Sequence, residues 1–339
     1  MLSYLHAFHA GNHADILKHA ALIQLLKKLN QKEAPYTFFD THAGSGLYST
    51  QGEKARKTGE AARGVLALAQ YASQDQNAGG QNLGLATDTG SSPKSAALAD
   101  YLDFAHPYLA RDLYPGSPLI ERAFLRPDDA HTICELHPAE FESLKENVLQ
   151  AQEGAAPTSS LATVPKNAPH TQILKADGLK TLIAQTPPKI KRGAVLIDPS
   201  YEEASDYEAV KKTVIAVHKK WSVGIIMIWY PLLAHRAAEI ENMLESIIAA
   251  AKVQNANTNI LRAEFCVDAP QSHIETSLEE NTAAKAAAAG TSNAPRLYGS
   301  GILVVNSPWK LDEELDAALK HLSRVPGLAT EASYSITKI

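Results

Sequence analysis

Cysteine is nearly missing from this chain. There are two in 339 residues, Cys134 and Cys266. Both fall in stretches that read as strands, and no Cys-x-x-Cys pair occurs, so neither a disulfide framework nor a cysteine zinc site is expected, and a reducing compartment is. Long apolar runs are missing as well. The most apolar one, Val223 to Leu233, is too short to cross a bilayer. The first residues lack the charged-then-apolar layout of a signal peptide. A soluble, cytoplasmic protein is the expectation. Nor is there a surplus of positive charge. The formal net charge of −5 excludes a generic nucleic-acid coat protein. A nucleic-acid substrate would have to be met by local basic groups: Lys54, Arg56 and Lys57; Lys189, Lys191 and Arg192; or Lys211, Lys212, Lys219 and Lys220. For the last group a solvated helix face is the plainer reading. His6, His9, His13 and His19 crowd the N-terminal region, but without an HExxH pairing and with few carboxylates nearby. No metal site is expected there; polar contacts to a ligand or a phosphate backbone are.

What is present is a hydrophobic content of 45%, enough to build one large core or two ordinary ones. Apolar residues recur at helical spacing over Ala14 to Leu29, with Asn12 as N-cap and Asn30 as stop. Pro35 introduces a strand, Tyr36 to Asp40, which runs into Thr41-His42-Ala43-Gly44-Ser45-Gly46. A Gly-x-Gly after a strand lets backbone approach a ligand closely. Ser49 stands where a dinucleotide fingerprint needs its third glycine, so an adenosine ligand without a pyrophosphate fits better than NAD. Gly59 to Tyr71 and Ala96 to Leu109 read as helices, separated by a Gly/Ser/Asn/Thr-rich loop from Ser73 to Ser95. Ser117, with Pro118 behind it, is the expected N-cap of a helix to Arg126.

Further strands are expected at His131–Leu136, Gln172–Ala176, Val195–Ile197, Val223–Tyr230, Leu261–Val267 and Gly301–Asn306. Helices are expected after Pro138 and over Leu233 to Lys252. Gly154–Pro169 and Glu279–Ala294 read as two more low-complexity loops. Ala332 to Thr337 alternate and suit a sheet edge. Seven strands separated by helices, with polar residues at the carboxyl ends of the first four, predict one doubly wound α/β domain. Residues 1–50 would open it, 51–113 would be a helical insertion after the first strand, and 114–339 would complete it.

The stretch Val195-Leu196-Ile197-Asp198-Pro199-Ser200-Tyr201 is the chemical centre of this pattern. A buried strand ends in an acid, a proline, a small residue and an aromatic. The aromatic can stack on a flat heterocycle. The carboxylate and the proline's fixed carbonyl can both accept from one exocyclic amine. That is the equipment for modifying the amino group of a nucleobase. Alone, the stretch is equally a strand closed by an Asp-Pro turn.

In order, these motifs resemble those of the class I S-adenosylmethionine-dependent methyltransferases, and closely the bacterial 23S ribosomal RNA adenine-N6 methyltransferases of the J type. The resemblance is carried by Met1-Leu2-Ser3-Tyr4, His9-Ala10-Gly11-Asn12-His13-Ala14-Asp15, Leu17-Lys18-His19 and Asp40-Thr41-His42-Ala43-Gly44. It continues through Tyr114-Pro115-Gly116-Ser117-Pro118, Glu135-Leu136-His137-Pro138, Ala176-Asp177-Gly178, Ile197-Asp198-Pro199 and Pro308-Trp309-Lys310. It spans nearly the whole chain and spares the three loops. It implies a Rossmann-like, seven-stranded sheet and S-adenosylmethionine as cofactor, with S-adenosylhomocysteine as its product. Lys18, His19, Asp40, His42, Ser117, Glu135, Asp177, Gly178 and Asp198 would line the cofactor site, Glu135 at the ribose and Asp177 at the adenine amine. Asp198, Pro199 and Tyr201 would be catalytic, and Tyr4 would touch RNA. The family works as a monomer on 23S ribosomal RNA, with the insertion helping to grip it. One position departs from the family: Ser200 replaces the second proline of Asp-Pro-Pro-Tyr, and a turn without that proline is less stiff. The Asp198 turn alone is equally compatible with a DNA adenine-N6 or cytosine-N4 methyltransferase, or with a cofactor-binding but inactive RNA-binding protein.

Overall fold

The structure, a computed structural model, describes residues 6–78, 95–152, 171–269 and 297–339. Tyr4 and the expected loops at 154–169 and 279–294 lie outside the described residues. So does most of the loop after Ser73, residues 79–94.

In chain order the strands are β1 (Thr37–Asp40), β2 (Leu47–Ser49), β3 (Leu113–Pro115), β4 (Ala130–Cys134), β5 (Thr171–Leu174), β6 (Gly193–Ile197), β7 (Ile225–Leu232), β8 (Ile260–Cys266), β9 (Gly299–Val305) and β10 (Ser333–Lys338). The helices are α1 (His13–Asn30), α2 (Glu53–Thr58), α3 (Ala67–Ala78), α4 (Ala96–Leu109), α5 (Ser117–Phe124), α6 (Pro138–Gln152), α7 (Gly178–Gln185), α8 (Ala204–Lys220), α9 (Ala237–Gln254) and, last, α10 (Leu311–Leu322). The main sheet runs β10-β8-β9-β7-β6-β1-β4-β5. Strands β5, β4, β1, β6 and β7 are mutually parallel, while β9 pairs antiparallel with both β7 and β8.

The core follows from the two-residue period of the central strands. Phe38, Ala194, Leu196 and Met227 point to one face, where they meet Leu17, Leu25 and Leu319 of α1 and α10. Phe39, Val195, Ile197, Ile226 and Ile228 point to the other, against Val210, Val214 and Ile247 of α8 and α9. Strand β6 is buried at every position, as a parallel strand covered on both faces must be. Helix α1 is buried nearly all round, between the sheet and α4 and α10. Its Asn12 cap accepts from the amides of Ala14 and Asp15 at 2.9 and 3.0 Å, as expected.

The structure departs from the sequence reading in four places. The main sheet has eight strands rather than seven, since β10 pairs beside β8 at the edge position expected for 332–337, and β2 and β3 form a small separate pair. The helix expected over Gly59–Tyr71 is broken. Gly59 closes α2 in the left-handed region, and Gly64 leaves helical geometry before α3 begins. A Cβ on Gly64 would stand 2.0 Å from the Gly11 carbonyl, so this kink is the contact that seats the insertion on the N-terminal turn. Helix α3 also continues to Ala78, into the stretch expected as loop. Last, Gly116 is the N-cap of α5, because the Ser117 hydroxyl is taken by Asp40, to which it donates at 2.7 Å.

Candidate active site

The carboxyl ends of β1, β4, β5, β6 and β7 open into one cleft of about 1120 Å³. It lies where the strand order reverses. From β1 the chain steps outward to β4 and β5, then crosses back to β6 on the other side. Crevices at such switch points are where open α/β sheets bind ligands.

Lys18, His19, His42, Ser117, Glu135, Asp177, Gly178, Asp198 and Pro199 all line this cleft. Asp40 and Tyr201 do not. Asp40 lies beneath the floor, where it accepts from the His42 amide at 3.0 Å as well as from Ser117. Burial lifts its carboxyl to about 6. Its place is to hold the first turn. Tyr201 is packed under the turn that carries it, and its hydroxyl donates to the Trp229 carbonyl at 2.9 Å.

On the β1–β4–β5 side the arrangement suits a nucleoside. The Glu135 carboxylate is oriented by the amides of Gly44 at 2.8 Å and His137 at 2.6 Å, yet still faces the cleft, and burial raises it above the usual carboxylate range. Asp177 caps α7 through the Lys180 amide. Gly178 has room for no side chain, since a Cβ would stand 1.9 Å from the Thr41 carbonyl. That approach brings the start of α7 against the first turn. Gly44 and Gly46 both have positive φ, as the tight Gly-x-Gly turn requires.

On the β6 side, a buried charge cluster controls Asp198. Lys18 Nζ sits 2.6 Å from Asp198 and 2.8 Å from Asp15. Burial would pull the Lys18 ammonium down, but the two carboxylates overcome it and hold the charge firmly. Asp15 also receives the Gly11 amide at 2.8 Å and His6 Nε2 at 3.0 Å. Burial raises Asp198 despite the pull of Lys18. His19 rests on Tyr114, Nδ1 to hydroxyl 2.8 Å, and burial pushes it down to about 3.

Sequence reasoning missed two members of this cluster as site residues, Asp15 and Trp229. Asp15, Lys18 and His19 recur at i, i+3 and i+4 on one helix, a spacing that could have flagged Asp15. Trp229 also lines the cleft, next to Lys18. None of the three basic groups lines the cleft itself; Lys54, Arg56 and Lys57 are on α2, whose Thr58 does. Arg192 is spent on the carbonyls of Ala34 and Leu29 at the far end of β6, and Lys211 and Lys212 pair with Glu208. Among the described residues no group of three or more metal-ligating side chains is gathered, and no helix is long and apolar enough to cross a membrane. Cys134 and Cys266 are free thiols in β4 and β8.

The buried histidines set an acid limit on stability. Burial holds His13 and His42 down at about 4 and His19 and His131 at about 3. Their unfolded values near 6.5 mean that the unfolded chain binds more protons below that pH. Stability from these four is therefore present above pH 6.5 and lost as pH falls towards 4. Asp40, Glu121, Glu135 and Asp198, all raised by burial, oppose this in part. The urea midpoint is expected to fall clearly between pH 7.5 and 5.5; an unchanged midpoint would contradict neutral burial of these imidazoles.

The glycine turn after β1 approaches a ligand without the three-glycine cradle of a pyrophosphate site, and a carboxylate with a proline carbonyl stands across from it for an exocyclic amine. Fold and site define a class I S-adenosylmethionine-dependent methyltransferase of the amino-modifying kind. The family model described as "Ribosomal RNA large subunit methyltransferase D, RlmJ" matches residues 33–336. Two relatives are named Ribosomal RNA large subunit methyltransferase J. The one from Escherichia coli (strain K12) is 30% identical over 99% of this chain and 98% of its own. The one from Haemophilus influenzae is 30% identical over 96% of this chain and 94% of its own. A crystal structure of a Legionella pneumophila protein, 24% identical, covers 97% of this chain and 98% of that one with a TM-score of 0.69, which shows the same fold end to end. This chain belongs to the ribosomal RNA large subunit methyltransferase J family.

Proposed function

We propose that the protein transfers a methyl group from S-adenosylmethionine to the N6 amino group of one adenine in 23S ribosomal RNA. The observation that carries this is Asp198-Pro199 at the switch-point cleft, in a chain matched along its length to that family. S-adenosylmethionine, when bound, supplies an electrophilic sulfonium methyl. Glu135 would accept from its ribose hydroxyls and Asp177 from its adenine amine, with His19, His42, Ser117 and Gly178 along the walls. The donor set fits, since Glu135 is already oriented by two amides and keeps acceptor capacity towards the cleft.

The adenine N6 lone pair is delocalised into the ring and is a poor nucleophile. Asp198 and the Pro199 carbonyl accept its two N–H groups and draw the nitrogen towards a tetrahedral shape, so that the lone pair can attack. The Asp198 charge then faces the positive charge that develops on nitrogen, and Asp198 is placed to receive the surplus proton. Lys18 keeps that carboxylate in place. The work of the chain is positioning and fixed electrostatics. The target base must first leave its stack.

The RNA is read as entering over the 51–113 insertion, whose Arg63 lines the cleft beside the His9–Glu60 pair, whereas Glu202, Glu203 and Asp206 line it from the turn after β6 and the start of α8. Tyr4 would add an RNA contact. The units 1–50 and 114–339 form the methyltransferase body, which is read as a cytoplasmic monomer in line with its free thiols and the family resemblance.

Labelled S-adenosylmethionine and unmodified 23S ribosomal RNA test the reading. N6-methyladenosine at one site is expected. Transfer to DNA in preference to RNA, or no transfer with cofactor bound, would sink it. Ser200→Pro should leave kcat equal or higher. Ser200 is exposed, and its amide donates to none of the described residues, so proline would remove no bond and would stiffen the turn. A fall beyond about tenfold would mean that the turn is fitted to serine.

A further inference from the structure

A line of buried polar groups runs beneath the floor of the cleft, off the path of methyl transfer. Ser117 and Glu121 stand one turn apart on α5, so both face the sheet. Asp40 of β1 points to the same side as Phe38, whose register partner on β4 is His131. Asp40, Glu121, Arg122, His131 and Thr171 are each at most 4% exposed.

The bonds run in one direction. Arg122 Nη1 donates to the Thr171 hydroxyl at 2.7 Å. That hydroxyl keeps its own hydrogen for His131 Nδ1, 3.1 Å away. The imidazole then carries its proton on Nε2 and donates to Glu121 Oε2 at 2.9 Å. Glu121 Oε1 is buried and receives no donor among the described residues, while the Glu121 and Asp40 carboxyls are within hydrogen-bond reach of one another. Asp40 already accepts from the His42 amide and the Ser117 hydroxyl. Two carboxyls that meet as acceptors bond only through a proton. With that proton on Glu121, every donation in the line is met, from a guanidinium at one end to a carboxylate at the other. An ionised Glu121 against a charged His131 would instead aim two N–H groups at the Thr171 oxygen and set two bare carboxylates together. Burial and then the Arg122 charge hold His131 down at about 3, and burial and then Asp40 hold the Glu121 carboxyl well above the usual range. Tyr36, Cys134 and Asp198 also interact with the pair, and none of them brings a positive charge.

We propose that Glu121 carries a proton which it donates to Asp40, and that this bond positions the first turn of the S-adenosylmethionine site. Glu121 is a positioning residue. It acts through Asp40, which sets the His42 amide and the Ser117 hydroxyl, and both of those residues line the cleft. The inference rests on the reading of the cleft as an S-adenosylmethionine site.

Calorimetric titration of S-adenosylmethionine into the wild-type protein comes first. No binding sinks that reading, and the infrared spectrum still judges the proton on Glu121. The difference between wild type and Glu121→Gln at pH 7.5 is expected to show the carbonyl stretch of a protonated carboxylic acid, a band that ionised carboxylates lack. Glutamine keeps both bonds, since its amide donates to Asp40 and accepts from His131. The cofactor Kd of Glu121→Gln is expected within about threefold of wild type, and its urea midpoint at pH 7.5 equal or higher, because only the wild-type chain must take up a proton at this position to fold. Glu121→Leu removes both bonds and should raise Kd about tenfold or more, with kcat at saturation within about threefold. If the leucine variant does not fold, the glutamine variant and the spectrum decide. An absent band, a larger loss of affinity in Glu121→Gln, or a midpoint lowered as by a broken buried ion pair overturns the proposal. Wild-type affinity in Glu121→Leu overturns the positioning role.

Discussion

Asp198→Asn is expected to lower kcat by about 10²–10⁴-fold while S-adenosylmethionine affinity stays within a few-fold of wild type. The substitution keeps the size of the side chain and one acceptor oxygen. It removes the negative charge that faces the developing positive charge on nitrogen, and it turns an amide donor towards either Lys18 or the substrate amine. The fold should tolerate it, because Lys18 keeps Asp15 at 2.8 Å and is not left as a lone buried cation. Single-turnover methyl transfer and calorimetric titration of the cofactor separate the two effects. A kcat within tenfold of wild type, or lost cofactor binding with normal turnover at saturation, would contradict the assignment.

Lys18→Met is expected to destabilise the protein by about 3–5 kcal/mol. An exposed ion pair contributes at most about 1 kcal/mol, but this one is buried on both sides. Without the ammonium, Asp15 and Asp198 share a desolvated space with no cation between them. Asp15 retains the Gly11 amide and His6, so the larger strain falls on Asp198, which burial already raises. Its carboxyl moves further up, and the acid limb of the residual activity should move to higher pH with it. Urea unfolding at pH 7.5 and a pH–rate profile check both. A stability loss below about 1 kcal/mol would mean that the cluster is not the buried triad described here.

Much of the site was legible because its parts sit at strand ends. A parallel strand covered on both faces has to be continuously apolar, so Val195–Ile197 marks its own end, and the polar residues that follow fall at the ligand edge of the sheet. The same logic marks Glu135 and Asp177, which line the cleft, and Asp40, which lies beneath its floor. It failed where a side chain had two local options. Ser117 could cap a helix or bond Asp40, and only the distance across to β1 decides. Gly64 breaks a good helical pattern because Gly11, 53 positions earlier, presses its carbonyl against it. Nor could that logic show that the backbone at Tyr201 is left-handed and that its ring is buried under the turn.

The sequence by itself determined the succession of strands and helices, the glycine turn without a pyrophosphate cradle, and the acid–proline pair made for an exocyclic amine. These are short-range matters, dictated by the two- and 3.6-residue periods and by the backbone limits of glycine and proline. The tertiary structure alone decided which charges meet. Lys18 reaches Asp198 across 180 positions only because α1 packs on the sheet, and Trp229 stands next to Asp198 only because β6 and β7 pair in that register. Helix packing and strand register are set by the fit of the whole core, and no local stretch of the chain contains them.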